Sequence, residues 1–215
     1  MKNVFTLSFS LACAYFFSGY LSNFLFAVNG YAVASWPPAG IALASFLLWG
    51  RRAYAGIFAG AVFVNLIHLD NSADILNWQI LIQSLGVSCA IFFQAWLGAF
   101  LITKVIKAPL NLSSLKLSIQ SLVIGGPLCC VIAAGAGTSL LVLNHFISTS
   151  NVISTFITWW IGDSIGVLIF TPLVLAIFNY SQLRHQYFGV LFLKVFLFFY
   201  TGRAIKTNTD NGVNK

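Results

Sequence analysis

A single acidic residue, Asp163, lies inside the apolar segment WWIGDSIGVLIFTPL, where its carboxyl group could do chemistry that the neighbouring side chains cannot. An ionisable group in a membrane segment costs about 3 kcal/mol to insert, so such groups usually face a bundle interior or water. Counting the helical rise, Asp163 lies roughly 15 Å from the outer end of its helix, near the membrane midplane. Two interpretations stay open. The carboxylate binds a ligand or takes part in signalling, or the group is protonated or merely hydrogen-bonds a neighbouring helix.

Tryptophan and proline residues mark a second stretch, SWPPAGIALASFLLWGRRAYAGIFAG, at residues 35–60. Trp36 heads the apolar run, at the depth where amphipathic aromatic residues collect. Pro37 and Pro38 suit the first turn of a helix, which has no use for their missing N–H groups. Arg51 and Arg52 end the run with a double positive charge that stays outside lipid. A well-capped membrane helix would also explain this stretch.

Polar side chains on other predicted helices extend the candidate site. By residue count, Asn23, Asn65 and Gln83 lie in the outer halves of their helices, and Gln94 lies deeper. With the tryptophans, these residues could line a polar cavity that opens outward through an aromatic mouth. The candidate ligand or signalling residues are Asp163, Trp36, Pro37, Pro38, Arg51, Arg52, Asn65, Gln83, Trp159, Trp160 and Gly162.

Sequence signatures of catalysis and metal binding are missing. The chain contains no GxxxxGK[ST] loop, no GxGxxG after a strand, no HExxH and no CxxC. His68, His145 and His185 fall near predicted helix ends, where interfacial histidines are commoner than metal ligands. The cysteines fall in apolar segments and are expected to be packing residues: Cys13, Cys89, Cys129 and Cys130. We therefore expect no enzyme activity, no cofactor and no metal.

The composition is typical of a membrane protein. Of 215 residues, 59% are hydrophobic and only 7% are charged, whereas soluble domains are about a quarter charged. The formal net charge of +7 could indicate nucleic acid, but the basic residues are spread between apolar runs and form no patch. We expect the lipid bilayer as a partner and no nucleic acid.

Six apolar segments reach or approach the roughly 20 residues that cross the hydrocarbon of a bilayer. They predict helices at about residues 4–28, 36–49, 53–69, 78–106, 117–143 and 152–178, with a kink at Gly125, Gly126 and Pro127. Residues 187–200 are short for a seventh crossing, and residues 201–215 are polar and expected to be disordered. The predicted fold is an all-α polytopic transmembrane helical bundle over residues 4–200.

Basic residues fall in alternate loops of this predicted bundle. One side carries Lys2, Arg51, Arg52, Lys104, Lys107, Lys116 and Arg184. The intervening loops carry no lysine or arginine. Because the Lys and Arg bias of short loops sets orientation, we expect the N-terminus in the cytoplasm.

The two motifs and the segment between them resemble a known family. WPPAGIALA, WGRRAYAGIFAGAVFVN and WWIGDSIGVLIFTPLVL are similar to the first class of membrane-associated sensor domain, the MASE family of bacterial signalling proteins. The similarity covers roughly residues 7–178. The family-like positions are Trp36, Pro37, Pro38, Gly40, Arg51, Arg52, Asn65, Trp160, Gly162, Asp163 and Pro172.

This resemblance implies an integral-membrane sensory module of the bacterial inner membrane, usually fused to a cytoplasmic diguanylate cyclase, phosphodiesterase or histidine kinase. The implied function is detection of an undefined stimulus in the inner membrane or periplasm and its transmission to a cytoplasmic output. The implied protein partner is another membrane protein, or a signalling kinase or cyclase. These 215 residues contain no output domain, which suggests that a longer reading frame was interrupted.

Two other functions are compatible with the residues. A small-solute transporter, or its substrate-binding membrane subunit, would use a broken helix near the midplane. The Gly125-Gly126-Pro127 interruption offers such a break, although the sequence shows no inverted repeat. A scaffold that binds other helices through glycine-rich faces, such as Gly135-Ala136-Gly137, is the third possibility.

Overall fold

All regular structure in the described part of the chain is helical, as predicted. The computed structural model describes residues 2–26, 35–69, 78–106 and 115–178. The helices are α1 (Lys2–Phe26), α2 (Pro37–Trp49), α3 (Tyr54–Leu69), α4 (Trp78–Leu101), α5 (Leu115–Val123), α6 (Cys129–Leu143) and α7 (Val152–Phe178). The all-α fold class is confirmed. The predictions for residues 187–200 and 201–215, and for Arg184 and His185, lie outside the described residues.

Short irregular helices connect or extend these elements. A 3₁₀ turn, Gly50–Ala53, joins α2 to α3, and a second one, Thr149–Asn151, precedes α7. A π-helical segment, Ile102–Ile106, continues α4, and another, Ile124–Leu128, joins α5 to α6. The second π-helical segment contains Gly125, Gly126 and Pro127, so the interruption that the sequence predicts is a π-helical segment between α5 and α6.

Four of the described helical stretches are long and apolar enough to cross a membrane: Val4–Leu25, Trp78–Lys104, Leu117–Leu143 and Thr149–Phe178. The predicted count of six membrane helices, the second of them expected to be short, is therefore too high for the described residues. Helix α2 has 13 residues and α3 has 16, short of the roughly 20 that a crossing needs. Composition alone cannot separate a full crossing from a short helix that packs inside the bundle, because both are uniformly apolar.

Helices α1 and α3 run parallel and in close contact. Gly56 lies against the backbone of Ser8, and Gly60 lies against Ala12 and Tyr15, one step further along both helices. The two glycines have the GxxxG spacing that lets helix backbones approach in membranes. The short α2 therefore returns the chain antiparallel to α1 before α3 begins.

Helix α4 runs antiparallel to both α3 and α6. The ring of Phe92 packs against those of Tyr54 and Phe58 near the start of α3, whereas Ser88 accepts a hydrogen bond from Asn65 near its end. On the other side, Leu140 of α6 covers Gly86 of α4, whereas the backbone N–H of Ala133, earlier in α6, donates to Gln94, later in α4. The chain therefore reverses direction between α3 and α4 and again between α4 and α6.

These helix directions place the basic residues of the described chain at one end of the bundle, called here the basic end. The α1 helix starts there at Lys2, and Ser8 of α1 donates a hydrogen bond to the carbonyl oxygen of Arg52 at 3.5 Å. Helix α4 extends to Lys104 at the same end, and α5 starts there at Leu115. The opposite end, called the neutral end, carries the turn at residues 144–151. The described bundle extends through Leu175, and residues 176–178 belong to a second unit.

Candidate functional site

Helix α2 begins in the middle of the bundle, next to the residue that precedes Asp163. The backbone N–H of Trp36 donates to the carbonyl oxygen of Gly162 at 3.0 Å. Gly162 lies near the centre of the 30-residue stretch Thr149–Phe178. From this contact α2 runs parallel to α7, and the Thr171 hydroxyl donates to the carbonyl oxygen of Gly40 at 3.2 Å. The α2 helix thus links the level of Asp163 to the basic end.

The two prolines explain how a helix can begin at this depth. The first four N–H groups of a helix have no partner within it, and an unpaired donor away from water costs several kcal/mol. Pro37 and Pro38 have no N–H group, and Ala39 donates to the carbonyl oxygen of Trp36 at 3.1 Å. Because Trp36 itself bonds to α7, the WPP motif starts a buried helix with few orphan donors.

A hydrogen-bond network centred on Gln94 connects Asp163 to two other helices. The Gln94 Nε2 group donates to Asp163 Oδ2 at 3.2 Å and to the Cys130 Sγ at 3.4 Å. Its Oε1 accepts from the backbone N–H of Ala133 at 3.3 Å. Asp163 is only 8% exposed. Within the described residues no lysine, arginine or histidine pairs with it, so a neutral amide is its hydrogen-bond partner.

Two unpartnered hydroxyl groups border this network. Tyr15 is fully buried near Asp163, and its hydroxyl makes no hydrogen bond of good geometry in the described structure, although the indole of Trp36 is close enough to interact with it. Ser164, which follows Asp163, likewise has a buried Oγ without a hydrogen bond of good geometry, and the thiol of Cys130 lies next to it. The indole of Trp36 lies beside Tyr15 and over Gly19 of α1. We call Tyr15, Gln94, Cys130, Asp163 and Ser164 the polar centre.

The structure brings part of the predicted site together. Trp36, Pro37, Pro38, Gly162 and Asp163 meet where α2 starts against α7. The indole of Trp160 is one helical step away from Asp163 and donates to the carbonyl oxygen of Pro127 at 2.7 Å. Its neighbour Trp159 packs over Gly137 of α6. Trp36 thus connects the start of α2 to α7, and Trp159 and Trp160 connect α7 to α6 and to the π-helical segment that precedes it.

Other predicted site residues lie apart from Asp163. Asn65 donates to Ala61 at 2.9 Å and to Ser88 at 3.3 Å, nearer the neutral end. Gln83 is 11 residues from Gln94 on the same helix, or roughly 16 Å away, and accepts from Asn144 at 2.9 Å. Arg51 and Arg52 are exposed at the basic end. A single site that includes all eleven candidates is therefore not formed.

Three members of the polar centre could not be selected from the sequence. Tyr15 is one of seven tyrosines, and nothing in its neighbours distinguishes it. Cys130 was expected to be a packing residue, and it is buried as such, but its Sγ also accepts from Gln94. Ser164 follows Asp163 in sequence, but a serine in an apolar segment does not by itself predict a role in a polar site. Gln94 is different, because a glutamine deep in an apolar segment already indicates a buried partner.

The described part of the chain is a helical integral membrane protein with a polar centre buried at mid-height. The MASE1 family model matches residues 5–205, and the chain belongs to this family of membrane-integral sensory domains. Comparison with curated proteins and with solved structures gives no match.

Proposed function

We propose that this chain is the stimulus-detecting part of a signalling system, with the polar centre as its detection site. The stimulus acts from the inner membrane or the periplasm, and the signal passes to a cytoplasmic output. The observation that carries the proposal is the position of α2. One end of this short helix is bonded to Gly162 beside Asp163, and the other leads into the exposed Arg51-Arg52 turn. A structural change at the polar centre can therefore be transmitted through α2 to the basic end.

The contacts of α2 suggest how the signal travels. Two hydrogen bonds hold α2 to α7, at Trp36 and at Thr171. Towards its basic end, the ring of Phe46 lies 4.8 Å from that of Tyr54 and 5.3 Å from that of Phe92, measured between centroids. A stimulus shifts such an element only if it binds one position more tightly than the other. We propose two positions of α2 along α7, with the aromatic cluster following its movement.

Orientation follows from the charge distribution. Membrane proteins keep Lys-rich and Arg-rich short loops on the cytoplasmic side, and the basic end collects such residues from four described elements. We therefore propose that the basic end and the N-terminus face the cytoplasm of a bacterial inner membrane. The neutral end then faces the periplasm.

The proposed orientation predicts opposite labelling of the two bundle ends. In a chain whose four cysteines are replaced by serine, Ser150→Cys should react in intact cells with a membrane-impermeant maleimide, and Arg52→Cys should not. Both positions are exposed, so exposure does not separate them. After permeabilisation both should react. Labelling of Arg52→Cys alone in intact cells would contradict the orientation.

The hydrogen bond between Thr171 and Gly40 provides a test of the proposed mechanism. We expect Thr171→Val, in the full chain fused to a diguanylate cyclase domain, to shift the unstimulated output in either direction. A membrane hydrogen bond of about 0.6–1.7 kcal/mol corresponds to a roughly threefold to twentyfold shift between two states. Thr103→Val is the matched control, because its hydroxyl bonds to Ala99 within its own helix at 2.9 Å. Equal output from both variants and the unmodified fusion would count against movement of α2.

A second function, transport of a small solute, is favoured by one specific observation. Two helix irregularities occur near mid-height, the start of α2 and the π-helical segment Ile124–Leu128, and Trp160 bonds to Pro127 within the latter. Transporters often place substrates at discontinuous helices near the bilayer midplane. Uptake by proteoliposomes of a solute that binds the chain would support transport. A solute-dependent change in fusion output without uptake would support sensing.

A further inference from the structure

We propose that the polar centre binds a small monovalent cation, either an alkali metal ion or the ammonium group of an amine. This inference rests on the proposed function, because it names the chemical class of stimulus for the same site. Three observations lead to it: the charge of the centre, its unpartnered oxygen atoms, and the distribution of buried polar atoms between the centre and the neutral end.

The charge of the centre favours a cation over an anion. Asp163 is the acidic group of the centre, and in the described structure its Oδ2 accepts a hydrogen bond from the neutral amide of Gln94. An anion would need basic side chains or free backbone N–H groups. The described basic residues lie at the bundle ends, and the prolines of WPP remove the donors that a helix start normally offers an anion. The centre therefore offers a cation one acidic group and few competing donors.

The unpartnered atoms match the needs of a small cation. The hydroxyl oxygens of Tyr15 and Ser164 are buried and make no hydrogen bond of good geometry in the described structure. An ammonium group has three donors and no acceptor, and hard metal ions prefer oxygen ligands. The rings of Tyr15 and Trp36 lie alongside, and aromatic faces attract cations. Within the described residues no cluster of three or more His, Cys, Asp or Glu exists, so the side chains do not form a typical transition-metal site.

The remaining unpartnered polar atoms point to access from the neutral end. Buried polar groups are nearly always hydrogen-bonded to protein or to ordered water. Four buried atoms without partners lie between the level of Asp163 and the neutral end: Asn23 Oδ1, Gln83 Nε2, Ser84 Oγ and Thr138 Oγ1. A single one, Ser45 Oγ, lies towards the basic end in the described structure. We infer a hydrated path from the neutral end to Asp163, along which a cation reaches the centre.

The test is a titration of the full chain in nanodiscs, followed by tryptophan fluorescence and by the temperature of unfolding. The probes are sodium, potassium and methylammonium chlorides, with N-methylglucamine chloride keeping the ionic strength constant. We expect a saturable change for at least one probe, and a dissociation constant raised at least roughly tenfold, equivalent to about 1.4 kcal/mol, by Asp163→Asn. Saturation by sodium or potassium alone identifies an alkali ion, and saturation by methylammonium alone identifies an amine. Either result supports the proposal.

Further variants keep the test decisive if Asp163→Asn does not fold. Tyr15→Phe and Ser164→Ala should each weaken binding several-fold, whereas Ser45→Ala, a buried and unpartnered serine on the other side of the centre, should leave it unchanged. No saturable response to any probe overturns the inference, as does equal binding by the unmodified chain and all centre variants.

Failure of the inference and failure of the proposed function can be distinguished. Cation binding that leaves the output of the cyclase fusion unchanged would support the cation site and count against the sensory role proposed for it. An output that responds to another stimulus through Asp163, without cation binding, would overturn the cation inference and leave the sensory function standing.

Discussion

Replacing Asp163 with alanine is expected to abolish the response of the cyclase fusion while leaving the protein inserted in the membrane. The substitution removes the acidic group of the polar centre and the 3.2 Å hydrogen bond that joins α7 to Gln94 of α4. Insertion should not suffer, because a buried acid costs about 3 kcal/mol to place in the bilayer. We expect at least a roughly tenfold loss, equivalent to about 1.4 kcal/mol of differential binding. The measurement is cyclic di-GMP per inserted fusion, with and without a stimulus that changes the unmodified fusion.

The matched control for this experiment is Asn65→Ala. Asn65 is also a polar residue on a helix of the same bundle, and it bonds to Ala61 and Ser88 rather than to the polar centre. Its loss should lower stability slightly and leave the response in place. An Asp163→Ala fusion that inserts normally and responds fully would show that the carboxyl group only joins helices, which is the alternative that the sequence left open.

Hydropathy and charge were sufficient to predict most of the fold. The apolar segments coincide with described helices within a few residues, and alternating basic loops predicted the shared end of Arg52 and Lys104. The height of α2 could not be predicted in this way. Its 13 residues are as apolar as those of a membrane-spanning helix, so composition does not reveal the depth at which it begins. The hydrogen bond between Trp36 and Gly162 shows that it starts at mid-height.

The candidate site was predicted in part, for a physical reason. Asp163 and Gln94 are polar residues in apolar segments, so each indicates a buried partner, and they are partners of each other. Tyr15 gives no such signal, because a tyrosine is ordinary both in a membrane helix and at its interface. Arg51 and Arg52 were included as candidates because they belong to the same sequence stretch as Trp36. The length of α2 separates them from the centre by roughly 20 Å.

A single methyl group added at Gly166 is expected to separate α2 from α7. A Cβ atom there would lie 2.6 Å from the carbonyl carbon of Trp36 and closer still to its oxygen, and both are backbone atoms that cannot rotate away. Trp36 is itself held by its N–H bond to Gly162 at 3.0 Å. Relief of the clash therefore moves the start of α2 and breaks this bond. Overpacking alone costs about 1–3 kcal/mol, and the freed N–H group adds to it.

We expect Gly166→Ala to lower the free energy of unfolding by at least about 3 kcal/mol, measured by detergent-induced unfolding in mixed micelles. Gly135→Ala is the matched control, because its added Cβ would lie 3.9 Å from the ring of Phe156, an ordinary contact. Alanine is better than glycine within a helix by about 0.5–1 kcal/mol, so this control should be neutral or stabilising. The difference in unfolding free energy between the two variants therefore reports on one contact, that of the Trp36 backbone with Gly166. If both variants were equally stable, α2 would not begin beside Asp163, and the connection from the polar centre to the basic end would be lost with it.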